Sequence, residues 1–364
     1  MWSRKLLTPV LGLAVIGTGL APAAQASPPP GAAPRHHAGT CSPSVSLLGF
    51  SDALDKTHLD GTAVAGLSAL GLTGPGRALA LVDNIGTTPA RLYDLSLRLG
   101  RGGPQVAAKG VTTLKRPDGT AYTGADFDGE SLVVERGGRT VLAGSETEPS
   151  IRRFRRSDGR QVAELPVPAR FRVAPAGEAA ANQTFESLAA TPDGRTLYAG
   201  MEGPLAADSP GPRRIIRYQG RPGGGYTPSA QYAYQTDPSL GLVELVALQD
   251  GDLLALERGF TAGVGNTVRI YRASTRGARD VSDVPSLTSA PGAALRKSPL
   301  VDLVTCPPSG ATAKQPQPNA LLDNIEGMAL GPRTGGGRRV LYLVSDDNGS
   351  SVQTTRVYAL AVRL

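Results

Sequence analysis

Cysteine, histidine and aromatic side chains are scarce in this sequence: two Cys, three His and one Trp among 364 residues, with aromatics at 5%. That scarcity excludes structural zinc, which needs a full set of Cys and His ligands. His36 and His37 lie in a Pro/Ala/Gly-rich stretch, so His58 is the one histidine of the folded part and Cys/His or Ser-His-Asp catalysis lacks its parts. There is no Gly-x-Ser-x-Gly elbow, and Ser131 and Ser187 read as packing or turn-capping residues. The glycine runs at 223–225 and 335–337 have no Lys-Ser/Thr after them, which excludes a phosphate-binding loop. Strong charge is also lacking: 38 Lys+Arg against 31 Asp+Glu give +7, which falls by two to +5 without residues 1–26, where Arg4 and Lys5 lie. The basic residues are scattered through turns and not interleaved with aromatics, a pattern that argues against nucleic acid and suits an anionic small molecule or cell-surface polymer. No run after residue 26 is apolar enough to cross a membrane, and a monomer is expected.

What is present begins with Met1-Trp-Ser-Arg-Lys5, an apolar run over Leu6–Leu20 and the small-residue stretch Ala21–Ala26, the three parts of a secretory signal peptide. The apolar run contains Pro9 and is shorter than the ~20 residues that span a bilayer. We therefore expect a signal peptide over 1–26, secretion of a soluble product, a flexible leader over 27–43 and a single folded domain over 44–364. Cys41 and Cys306 would then both meet an oxidising compartment. A disulfide between them is expected, with two separate buried thiols as the alternative.

The domain reads as short runs rich in Val, Leu, Tyr and Ala, such as Ala78–Val82, Arg139–Ala143, Asp252–Leu256 and Val340–Val344. They are punctuated by Asp-Gly turns at 118–119, 193–194 and 250–251, which predicts many antiparallel strands and few helices. The runs repeat. Glu130-Ser-Leu continues to Gly144-Ser-Glu146, and Glu186-Ser-Leu to Gly200-Met-Glu202, each with an acid at the start and another 16 residues on. Glu326-Gly-Met leads to Asp346-Asp347-Asn348, Glu244-Leu-Val leads to Glu257-Arg258, and a degenerate copy runs from Gly66-Leu-Ser-Ala-Leu to Asp83-Asn84. Two antiparallel strands joined by one turn bring the chain back to where it started, so both acids of a copy belong on one rim. The copies are spaced by 64, 56, 58 and 82 residues, and the last interval has room for an irregular extra blade. The expectation is an all-β propeller of five or six four-stranded blades, six favoured, closed by pairing Ser44–Leu48 with Thr355–Arg363.

The same residues resemble the phytase-like, or "esterase-like activity of phytase", family of secreted bacterial propellers. The resemblance rests on Gly66–Leu70, Asn182–Ala189 with Pro192–Glu202, Leu256–Phe260, Asp323–Leu330 and Leu343–Asn348, and spans about 45–364. It implies an architecture similar to that of calcium-dependent propeller phytases, without establishing phosphate-ester or carboxyl-ester hydrolysis. The missing acid at Gly66 and the irregular stretch Arg276–Pro318 depart from the pattern.

Calcium takes about six to eight hard oxygen ligands in irregular geometry. The expected metal ligands are Glu130, Glu186, Glu244, Glu326 and Asp346, with Glu202 and Glu257 nearby. Arg217, Arg258 and Arg272 offer the alternative relief of mutual repulsion, ion pairing without a metal. The function so implied is a calcium-dependent phosphoester hydrolase using metal-assisted attack by water, with Glu186 as general base and Arg258 holding the anionic substrate. Two other functions fit the same residues: a non-enzymatic propeller binding a ligand or glycan, and a lactonase-like propeller with a metal held by Glu186, Asn182 and Asn324.

Overall fold

The computed structural model describes residues 39–83 and 86–364; the expected signal peptide and most of the expected leader lie outside the described residues. Blade 1 has strands Leu67–Gly74, Arg77–Val82, Arg91–Gly100 and Gly103–Thr113; blade 2 has Gly129–Val134, Thr140–Ser145, Ser150–Arg155 and Gln161–Leu165. Blade 3 has Phe185–Ala190, Thr196–Met201, Arg213–Gly220 and Tyr226–Tyr234; blade 4 has Gly241–Ala247, Leu253–Thr261, Gly265–Ser274 and Arg296–Asp302. Blade 5 has Ile325–Arg333, Arg339–Ser345 and Val357–Val362, and Val45–Ser51 supplies its fourth strand. The first strand of each blade touches the first strands of both neighbours in a closed cycle, which makes the assembly a five-bladed propeller.

The ring closes as expected: Val45 pairs with Val362 and Ser51 with Val357, antiparallel. Gly39–Ser42, inside the stretch expected as leader, adds an outer strand to blade 5, and Cys41 is bonded to Cys306. Of the five or six blades expected, the structure has five. The 82 residues between the fourth and fifth copies do not hold the sixth. They are taken up by the long second and third strands of blade 4, a loop over 275–295 and a strap over 303–324.

The strand runs are apolar without alternation because each blade is covered on both faces by its neighbours. Val340–Val344 is buried throughout, and Leu142, Ile151, Phe171, Phe185, Leu188 and Leu197 fill the space between blades 2 and 3. The Asp-Gly turns form as read: Asp118, Asp193 and Asp250 accept from the backbone N–H two residues on, at 2.9, 3.0 and 3.2 Å.

One irregularity recurs in every blade. Ladder pairing between first and second strands skips one residue, and the skipped residues are Ser68, Glu130, Glu186, Val243 and Glu326. A bulge re-aims the residue it extrudes, and Glu130, Glu186 and Glu326 are thereby turned toward one mouth of the ring, while Val243 stays in the core. The glycines in the repeat have a steric reason. A Cβ on Gly144 would lie 2.2 Å from Ser131 Oγ and one on Gly200 would lie 2.4 Å from Ser187 Oγ. The serines after Glu130 and Glu186 thus each require a glycine across the ladder.

Candidate metal centre

At the far end of each second strand a further residue faces the same mouth. The N–H groups of Asp83, Glu146, Glu202 and Asp346 donate to the carbonyls of Gly66, Asp128, Thr184 and Asn324 at 2.8, 3.0, 2.8 and 2.9 Å. Arg258 holds this position in blade 4, where it pairs with Gly241. Each blade therefore contributes a bulged residue and a strand-end residue: Ser68 and Asp83, Glu130 and Glu146, Glu186 and Glu202, Val243 and Arg258, Glu326 and Asp346. Blades 1, 2, 3 and 5 deliver acids. Blade 4 has a core valine and an arginine at these positions, and only the arginine reaches the mouth.

Of these side chains Asp83, Glu130, Glu146, Glu186, Glu202, Arg258 and Glu326 border a cavity of about 560 Å3, together with Asp128, Phe260, Asn182, Asn266, Asn324 and Asn348. Asp346 is buried against Asp83 and Glu326. Carboxylate oxygens of Asp83, Asp128 and Glu130 lie within 4.8 Å of one another, and those of Glu146, Glu186 and Glu202 do the same. The two triads span blades 1 to 3. On the other side Arg258 Nη2 meets Glu326 Oε1 at 2.9 Å, and Asn324 Nδ2 donates to the same oxygen at 2.9 Å.

Desolvation governs the protonation of this group. Burial pushes Glu130 well above the usual carboxylate range, with Glu186, Asp83 and Glu326 adding to it. Burial raises Glu186 in the same way, with Glu202, Glu146 and Glu326 adding and Arg258 opposing. Glu146 is pushed up to about 8 by burial, against a 2.8 Å hydrogen bond from Thr184 N–H. Burial also raises Glu202, against Arg258 and Arg213, and raises Glu326, against Arg258 and Asn324. Asp346 rises through burial, then through Glu326 and Asp83. Groups of hard oxygens held this close lower their repulsion by taking up protons or a cation. Oxygen-only triads with no nitrogen or sulfur ligand fit a hard divalent ion.

Of the expected ligands, Glu130, Glu186, Glu326 and Asp346 are brought to this mouth and Glu244 is not. The sequence alignment sets Glu244 beside the other glutamates, but the bulge in blade 4 falls on Val243. Glu244 occupies the place of Ser131 and Ser187, and borders a separate cavity made by the later halves of the first strands, with Leu132, Leu188, Met328 and Leu330. Its carboxylate accepts from Leu245 N–H at 2.8 Å, and burial raises it well above the usual range. Glu257 is also elsewhere: it accepts from Tyr234 Oη, Asp237 N–H and Lys297 Nζ at 2.7, 2.7 and 2.6 Å. Among Arg217, Arg258 and Arg272 only Arg258 lines the cavity, and Arg272 pairs with Asp250 and Asp252. The sequence reading did not select Asp83, Asp128 and Glu146 as ligands. Asp83 and Glu146 stand in the repeat as closing acids, whereas Asp128 is matched by Thr184, Gly241 and Asn324 and so carries no repeated signal.

Residues 62–349 match the phytase-like family, described as "Esterase-like activity of phytase". The chain belongs to this family. No curated protein matches this phytase-like chain. Among solved structures it is similar to the periplasmic gluconolactonase PpgL of Pseudomonas aeruginosa at 14% identity, covering 89% of this chain and 94% of that one with a TM-score of 0.36. It is also similar to a Kuenenia stuttgartiensis hydrazine synthase at 10% identity, covering 80% and 81% with a TM-score of 0.37. For the Dos1 propeller the identity is 12%, the coverage 81% and 68%, and the TM-score 0.34. No helix among the described residues of this phytase-like propeller is long and apolar enough to cross a membrane.

Proposed function

We propose that the acidic mouth is the active site of a calcium-dependent phosphoester hydrolase. The observation that carries this reading is the convergence of two carboxylate triads from three adjacent blades beside a single guanidinium. Asp83, Asp128 and Glu130 would hold one ion, and Glu146, Glu186 and Glu202 a second. Bound there, calcium supplies charge for phosphate oxygens and a more acidic water. Arg258 orients the anionic group, held in place by Glu326 at 2.9 Å. Glu186 feels both its own triad and Arg258, and we assign it the role of accepting a proton from the attacking water. The Cys41–Cys306 disulfide supports export to an oxidising compartment.

Calorimetric titration of the chelator-treated protein with calcium should show saturable binding, and hydrolysis of an aryl phosphate should require that calcium. Glu186→Gln should fold normally while losing at least tenfold in turnover and most of the calcium-induced rise in Tm. Calcium binding without turnover of aryl phosphate, aryl acetate or sugar lactone would make the chain a binding platform, and lactone turnover alone would move it to the lactonase class. A Glu186→Gln protein with an unchanged calcium response removes Glu186 from the site.

A further inference from the structure

The blade 4 side of the same cavity is unlike the acidic side. Asn266 faces Phe260 across the hairpin of blade 4 and lines the cavity. It is 1% exposed, yet neither its amide oxygen nor its amide nitrogen has a hydrogen-bond partner. Its backbone N–H donates to Gln317 Oε1 at 2.8 Å, and the amide nitrogen of Gln317, from the strap over 303–324, is buried and unpartnered as well. Arg258 Nε is a third unpartnered group at this wall.

Buried polar atoms are paired almost everywhere in proteins, because desolvating them without compensation is costly. A primary amide left open on both atoms therefore marks a place where pairing comes from a ligand. An amide oxygen needs a donor and an amide nitrogen needs an acceptor. A hydroxyl offers both, whereas a phosphate dianion offers acceptors alone. Phe260, 54% exposed, and Val352, 47% exposed, line the same cavity and give the C–H face of a ring an apolar surface to lie on.

We propose that Phe260 and Asn266, backed by Gln317, form a hydroxyl-reading subsite beside Arg258, and that the ligand is a sugar or cyclic polyol carrying one phosphate and not several. The proposal rests on the phosphoester reading above, with the acidic triads taking the phosphate and blade 4 taking the alcohol. The limit to one phosphate follows from charge. Among the described residues Arg258 is the one cationic side chain bordering the cavity and every other charged residue lining it is a carboxyl, so a second phosphate on the same ring would meet carboxylates and no second cationic side chain.

The test is calorimetric binding of glucose monophosphate, glucose bisphosphate and inorganic phosphate to the full chain in calcium. Glucose monophosphate should bind at least tenfold more tightly than either of the others. Asn266→Ala should remove about tenfold of that advantage and leave inorganic phosphate binding unchanged. Its Tm should hold or rise, since the variant deletes an unpaired buried amide, a result that a merely structural role would not give. Phe260→Ser alters an exposed residue and should weaken glucose monophosphate several-fold. Tighter binding of the bisphosphate, or glucose monophosphate binding unaffected by both variants, overturns the subsite. Aryl phosphate has no sugar hydroxyls, so its calcium-dependent hydrolysis reports on the chemistry separately. Failure there with the sugar phosphate contrast intact refutes the hydrolytic reading and not the subsite.

Discussion

Glu130, Glu146, Glu186, Glu202, Glu326 and Asp346 hold protons more tightly in the folded chain than in the unfolded one, and the sign of the pH response follows. Glu146, with an ordinary value of 4.5, is raised to about 8. Between those values the unfolded chain has released a proton that the native state keeps, so native stability falls as pH rises. Each such group contributes up to about 1.4 kcal/mol per pH unit over its window. In chelator, Tm should decline steadily from about pH 5 to about pH 8, and calcium should reverse the decline most strongly at the upper end, where its ligands are free of protons. Calorimetric melts across that range with and without calcium check this. A chelated protein whose Tm stays level or climbs over the same interval would show that these carboxyls hold protons no more tightly in the folded chain than in the unfolded one.

At the scale of the hairpin, much was legible in the sequence. Acids at matching points of several copies, separated by strand, turn and strand, could only return to one rim, and they do. The blade 4 copy misled because a bulge displaces residues by one: the sequence aligns Glu244 with Glu186, while the backbone equates Val243 with it. Strand pairing decides that one-residue difference, and composition carries no trace of it. Asp128 escaped for the opposite reason, since no other blade has an acid there. The glycine opposite each serine is a further constraint at this scale. Gly200→Ala places a methyl 2.4 Å from Ser187 Oγ and 3.0 Å from Leu242 Cδ2, which should cost about 1–3 kcal/mol. Urea unfolding reads this directly, and the double change with Ser187→Ala should recover part of it. A single variant as stable as wild type would mean that the blades part easily.

For the whole molecule, the sequence foretold radial architecture and the pairing of its ends, and it left five or six blades open, favouring six, because the spacing of repeats registers length and not pairing. The 82-residue interval holds a strap whose Gln315 lines the cavity and whose Gln317 lies behind Asn266, so the surplus chain shapes the mouth. The strap is anchored to the outer strand of blade 5 by Cys41–Cys306, 265 residues apart. Replacing both cysteines by serine should lower stability by about 2–5 kcal/mol, measured as a fall in Tm that reductant reproduces in the wild-type protein. Equal Tm in both conditions would mean that the strand pairing alone secures the closure.

Val45–Ser51 and Val357–Val362 are neighbours in space and almost the full chain apart in sequence. During synthesis the opening segment must wait, its edge unpaired, until the closing one has emerged from the ribosome, and the loop that has to shut is nearly as long as the protein itself. The ring can thus be completed only late, and a chain lacking Val357–Val362 would leave blade 5 without the seam that holds the circle.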